Sequence, residues 1–158
     1  MEPKVFFDID GVIRRLDIAV FGKPTKVWDE RGPDGKGIVE IVSSNPEIIL
    51  KARKTKYCGV LYDFQPVNFL TVQPPSWRPQ TEIWLKQNLP GLEYQVKYAQ
   101  NSSDKLKSLN NGQVLVEDCP NFQDFSQIIL VDRPYNRTAK APRRVKSPEE
   151  LLDLLNRI

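Results

Sequence analysis

The chain has 158 residues, 27% charged and 40% apolar, with 13 Pro, two Cys, no His and a formal charge of +3. That length suits one domain with one core; the composition is too apolar for disorder, two Cys cannot build a disulfide scaffold, and no apolar run approaches a membrane span. The missing histidine excludes Ser-His-Asp and Cys-His catalysis, the usual zinc hydrolase sites and imidazole acid–base chemistry, which leaves carboxylates, lysines, hydroxyls and a hard metal.

Val5 to Asp10 is an almost wholly apolar run closed by Gly11, the pattern of a strand buried on both faces. Met1-Glu2-Pro3 leads straight into it with no leader-like stretch, so the expected location is the cytoplasm, with Cys58 and Cys119 as reduced thiols. Residues 14–42 alternate loosely around Gly22-Lys23-Pro24 and a Gly-rich segment at 31–37, which predicts two extended arms of a hairpin-like flap or minimal cap. Ser44-Asn45-Pro46-Glu47 reads as a helix start, with Ile48, Ile49, Ala52 and Cys58 on its apolar face and Gly59 as its stop. Val67 to Val72 is a second core strand, followed by a helix from Pro79 to Asn88 with Ile83, Trp84 and Leu89 inward.

Tyr94 to Tyr98, Val114 to Val116 and Ile128 to Val131 read as further strands, with a short helix from Lys105 to Leu109 between the first two. Ser147-Pro148-Glu149-Glu150 is a capping box that opens a last helix. Strands alternating with helices predict an α/β domain with a mainly parallel sheet, whose ligand sits at one edge.

Two acidic pairs close apolar strands, Asp8/Asp10 and Glu117/Asp118. An isolated Asp-x-Asp fits turn chemistry as well as catalysis. Two such pairs on one sheet edge would form an oxygen-rich site suited to Mg²⁺.

The run Val5-Phe6-Phe7-Asp8-Ile9-Asp10-Gly11-Val12 resembles motif I of the haloacid dehalogenase-like phosphohydrolases. Phe69-Leu70-Thr71, Lys105 and Val114-Leu115-Val116-Glu117-Asp118 are similar to motifs II, III and IV, in that order. Within the superfamily, Trp84-Leu85, Leu89-Pro90-Gly91 and the run from Ile129 to Arg137 look like the 5′(3′)-deoxyribonucleotidase group, with residues 14–42 as a shortened cap.

The resemblance implies a Rossmann-like three-layer sandwich and a Mg²⁺-dependent phosphomonoesterase. In it, Asp8 is the nucleophile and Asp10 the acid and base; Thr71 and Lys105 bind phosphate. Asp8, the Asp10 carbonyl and Asp118 hold the metal, with Glu117 behind them. The substrate it implies is a small phosphorylated molecule, a (deoxy)ribonucleoside monophosphate. Trp28 and Trp77 are candidates to contact the base. A macromolecular phosphate (a nucleic-acid 3′ end or a phosphoprotein) is the alternative substrate, and a binding protein that has lost the chemistry is the alternative class. Basic segments at Lys51 to Lys56 and Arg137 to Lys146 read as solvated surface; the second has no interleaved aromatic, so nucleic acid is not the favoured partner.

Overall fold

Apolar strands with no polar face must be covered on both sides, and that requirement organises the chain. The computed structural model describes residues 2–122 and 125–158. Strands form at Val5–Phe7 (β1), Arg14–Arg15 (β2), Arg53–Lys54 (β3), Val67–Thr71 (β4), Tyr94–Tyr98 (β5), Val114–Glu117 (β6), Ile128–Val131 (β7) and Arg144–Val145 (β8). Helices form at Leu16–Phe21 (α1), Ile38–Ser44 (α2), Arg78–Asn88 (α3), Ser102–Lys107 (α4) and Pro148–Leu155 (α5).

Six strands make one sheet in the order β5-β4-β1-β6-β7-β8, and every pairing in it is parallel. The two-residue side alternation divides the core. Phe7, Phe69, Val116, Ile129 and Val131 pack on one face with Trp84 and Leu85 of α3 and Leu151 and Leu155 of α5. Phe6, Leu70, Leu115 and Leu130 pack on the other with Leu106 of α4, Leu109 and Phe122. Each such large side chain, moved fully from water, contributes about 1.5–3 kcal/mol. The result is an α/β domain with a parallel sheet between two helical layers. From β1 the chain runs outward through β4 and β5, then returns beside β1 as β6 and runs the other way. That reversal opens a crevice at the carboxyl ends of β1 and β6.

Three local expectations need correction. Residues 14–42 do not form an extended hairpin. Arg14–Arg15 is a two-residue strand paired antiparallel with Arg53–Lys54, and the arms are helices α1 and α2. Leu16, Ala19 and Val20 stand at i, i+3 and i+4, so the spacing that looked alternating also fits a helix packed on the core. Gly22, at φ 74°, ends α1 with its N–H on the Ile18 carbonyl.

The helix expected from Asn45 to Gly59 is broken in two. Pro46–Lys51 and Lys56–Asp63 are 3₁₀ turns on either side of β3. The break is imposed from outside the segment: the Thr55 N–H donates to the Ile13 carbonyl at 2.9 Å, and its hydroxyl to the Val12 carbonyl at 2.6 Å. Ile83 points outward, 42% exposed, while Trp84 and Leu85 fill the core.

Two caps follow the sequence more closely. Asn101 accepts from the Asp104 N–H and starts α4 at Ser102, which places Lys105 inside the helix rather than at its opening. Ser147 accepts from the Glu150 N–H, and the Glu150 carboxylate returns to the Lys146 N–H, one residue short of a reciprocal box. Both cysteines are free and buried. No helix among the described residues is long and apolar enough to cross a membrane.

Candidate active site

The switch-point crevice is where the acidic pairs meet. Asp8 follows β1 directly, its N–H donating to the Val116 carbonyl at 2.9 Å. The chain then turns sharply, with the Ile9 carbonyl accepting from the N–H groups of Val12, Ile13 and Arg14. Glu117 ends β6 and Asp118 follows it; Thr71 ends β4, the strand on the other side of β1. Lys105 reaches the same edge from α4 and is 4% exposed.

Lys105 Nζ lies 2.9 Å from Asp8 Oδ1 and 2.7 Å from Glu117 Oε2. Glu117 Oε1 accepts from the N–H groups of Asp118 and Cys119, at 2.8 and 3.2 Å. Asp118 Oδ2 accepts from the Tyr135 hydroxyl, and its carbonyl accepts from Asn136 Nδ2 at 2.8 Å. Asp118 Oδ1 is buried and has no hydrogen-bond partner among the described residues.

Three buried carboxylates facing one ammonium leave an excess of negative charge, and the titration of the group reflects it. Burial, then the Glu117 charge, pushes Asp8 up to about 8. Burial, Glu117 and Asp8 push Asp118 well above the carboxylate range. Burial also opposes ionisation of Glu117, but Lys105 and hydrogen bonds outweigh it and hold Glu117 at about 2. Burial disfavours the Lys105 ammonium too, and Asp8 with Glu117 more than reverses that.

Oxygens of Asp8, Glu117 and Asp118 all lie within 4.8 Å of one another. An all-oxygen donor set, more buried carboxyl groups than the one ammonium can balance and an orphaned Asp118 oxygen together fit a hard divalent cation. The Glu117 oxygens are already engaged by Lys105 and two N–H groups, so Asp8 and Asp118 have the freer donors.

Asp10 is separated from this group. Its two oxygens accept from Nε and Nη2 of the buried Arg14, at 2.6 and 3.0 Å. Asp8 and Asp10, two positions apart, thus have different partners. Beside Asp10 opens a cavity of about 390 Å³, walled by Gly11, Asp118, Tyr135, Trp28 and Trp77 and by residues of α1 and α2. Both candidate tryptophans therefore line it, Trp28 against Tyr135 with ring centroids 5.5 Å apart. Asp8, Thr71, Lys105 and Glu117 are buried and are not part of that lining.

Gly11 is required twice. Its φ is +82°, and a Cβ there would stand 1.8 Å from Asp118 Oδ2. Gly11→Ala is therefore expected to destabilise by about 3 kcal/mol, from left-handed strain plus overpacking. It should also displace Asp118, so the variant is expected to lose metal affinity measured calorimetrically even at temperatures where it stays folded.

The cavity's α1 wall is fastened by Asp17, which takes two bonds from Arg15, at 3.0 and 2.8 Å, and one from the Thr25 N–H at 3.1 Å. Burial alone would raise the Asp17 carboxyl, but Arg15 and Thr25 outweigh it and hold it below its ordinary 3.8. A carboxyl depressed in the folded state adds stability above its unfolded pKa, and that stability is lost as pH falls through the folded value. Asp17→Asn is expected to cost about 1.5–3 kcal/mol at neutral pH. Urea melts should show the gap closing as the medium becomes acidic; a constant gap would contradict this assignment.

Sequence reasoning missed Tyr135, Asn136 and Arg14. Asn136 is fully buried: it donates to the carbonyls of Asp118 and Val131 and accepts from the Arg133 N–H and Arg144 Nη1. Arg144, counted in a basic segment, is thus a fastener that also holds Asp132 at 3.0 Å. The run Asp132 to Asn136 was the available signal, a Pro-containing turn directly after a core strand. Cys119 sits beside Asp118, but burial pushes its thiol up to about 12, which leaves it unreactive. A scan against protein-family models finds no match to this chain, and a search of curated proteins finds none.

Proposed function

We propose that this chain is a Mg²⁺-dependent phosphomonoesterase that works through an aspartyl-phosphate on Asp8 and acts on (deoxy)ribonucleoside monophosphates. The observation that carries the reading is the buried group of Asp8, Lys105, Glu117 and Asp118 at the sheet's switch point, with the Asp118 oxygen left over. Asp8 and Asp118 would hold the Mg²⁺, with the Asp10 carbonyl as third donor, and the ion would neutralise charge on the phosphoryl oxygens.

Asp8 attacks phosphorus, its oxygen forming the new P–O bond as the bond to the leaving oxygen breaks. Asp10 gives that oxygen a proton. A water then attacks the aspartyl-phosphate, Asp10 takes the proton from it, and phosphate departs with Asp8 restored. Lys105, 2.9 Å from Asp8, fixes the nucleophile's orientation and offsets charge that the phosphate brings. Thr71 supplies a hydroxyl to the phosphoryl group. No step needs an imidazole, which suits a chain with no histidine.

The leaving group is assigned to the cavity. Trp28, Tyr135 and Trp77 offer a base flat apolar walls to stack on in that space. Asp10, Asp17, Asp29, Glu30, Arg31, Glu40 and Asp118 also line that space, with Asp10 paired to Arg14, Asp17 to Arg15 and Glu40 to Arg31. The free thiols of Cys58 and Cys119 suit a reducing, cytoplasmic setting.

The test is phosphate release from nucleoside mono-, di- and triphosphates, sugar phosphates and 3′-phosphorylated oligonucleotides, with Mg²⁺ and with EDTA. Monophosphates should be cleaved, and only with Mg²⁺. A preference for oligonucleotides would overturn the substrate assignment, and release unaffected by EDTA would overturn the mechanism.

A further inference from the structure

Arg14 is fully buried and has no part in the steps above. Its guanidinium donates to both oxygens of Asp10, and its Nη1 donates to Thr81 Oγ1 at 3.2 Å. Thr81 donates onward to Gln73 Oε1 at 2.8 Å. Trp84 lies across the guanidinium, 5.6 Å to the ring centroid, and is itself anchored by Nε1 on the Ala52 carbonyl at 2.8 Å. The fork is thus held by Thr81 and Trp84 and has Asp10 as its only charged hydrogen-bond partner among the described residues.

Burying a guanidinium is costly, and an aliphatic side chain would fill the space without that cost. What an arginine adds is a rigid, two-pronged grip on a carboxylate. The Asp10 side chain is 26% exposed and borders the cavity, so its carboxylate stands between the guanidinium and the space assigned to the leaving group. Each oxygen keeps a further lone-pair direction for the cavity side. We propose that Arg14 is a positioning residue that holds Asp10 in the orientation needed to reach the leaving-group oxygen. The inference rests on the reading that Asp10 delivers that proton.

The experiment compares two substrates in the first turnover, so that hydrolysis of the aspartyl-phosphate does not enter. A deoxynucleoside 5′-monophosphate expels an alkoxide that needs a proton; p-nitrophenyl phosphate expels a phenolate that leaves without one. Arg14→Gln is expected to slow the nucleotide about 100-fold and the nitrophenyl ester by about 5-fold or less. Asp10→Asn should show the same bias, and adding Arg14→Gln to it should cost nothing more. Thr81→Val, which takes the acceptor from Arg14 Nη1 and the donor from Gln73 Oε1, should show the bias more weakly and serves if Arg14→Gln does not fold. Equal losses on both substrates, or none, would overturn the role of Arg14 while leaving the phosphatase reading intact. A wild-type protein that releases nothing from either ester would instead remove the reading on which the role rests.

Discussion

Asp8→Asn is expected to lower phosphate release by about 10⁴-fold or more, because an amide cannot form the covalent intermediate and no other group in the site can replace it. Asp10 is gripped by Arg14, Glu117 is engaged by Lys105 and two N–H groups, and Asp118 has one oxygen on Tyr135 and the other assigned to the metal. The same substitution should leave stability unchanged or raise it. Asp8 is an ionisable group forced into a buried cluster that already holds two other carboxylates, and an uncharged isostere relieves that crowding. Thermal melts in EDTA read this second effect directly. Lost activity together with lost stability would mean that Asp8 serves the fold and not the reaction.

Lys105→Met should have the opposite signature. The ammonium is the charged partner of both Asp8 and Glu117, and all three groups are buried. Its removal strands buried carboxylates, which costs about 3–5 kcal/mol, a large part of the ~5–15 kcal/mol that holds a domain together. A divalent cation would restore some of the missing charge. Mg²⁺ is therefore expected to raise the melting temperature of Lys105→Met by more than it raises that of the wild type. An equal Mg²⁺ effect on the two proteins would contradict the placement of the cation beside Lys105.

The contrast between these two substitutions follows from features that the sequence displayed unevenly. The strands were legible because a parallel strand covered on both faces needs an unbroken apolar run, and Val5 to Phe7, Val114 to Val116 and Ile128 to Val131 are such runs. The residues after them were legible for a related reason: a carboxylate at the end of an apolar strand has been carried to the sheet edge by the strand itself.

Residues 16–21 and 38–44 were misread because β-branched residues such as Ile18, Val20, Val39 and Ile41 favour strands locally, whereas packing on the core made them helices. Packing also broke the helix expected after Pro46, through bonds from Thr55 to the turn that carries Asp10. Partners that close the site from afar left no local trace. Tyr135 lies 17 positions after Asp118, and Thr81 lies 67 after Arg14. Their roles depend on which strands become neighbours, a matter of topology and not of pattern.

The proposed mechanism turns on phosphorylation of Asp8. Its most direct test is acid-quenched turnover of a nucleoside monophosphate labelled at phosphorus, with Mg²⁺ present, followed by location of the label in the protein. An acid-stable, alkali-labile phosphoryl group is expected on the peptide that carries Asp8, absent in EDTA and in Asp8→Asn. Steady phosphate release with no label on that peptide, or with Asp8→Asn as active as the wild type, would contradict it.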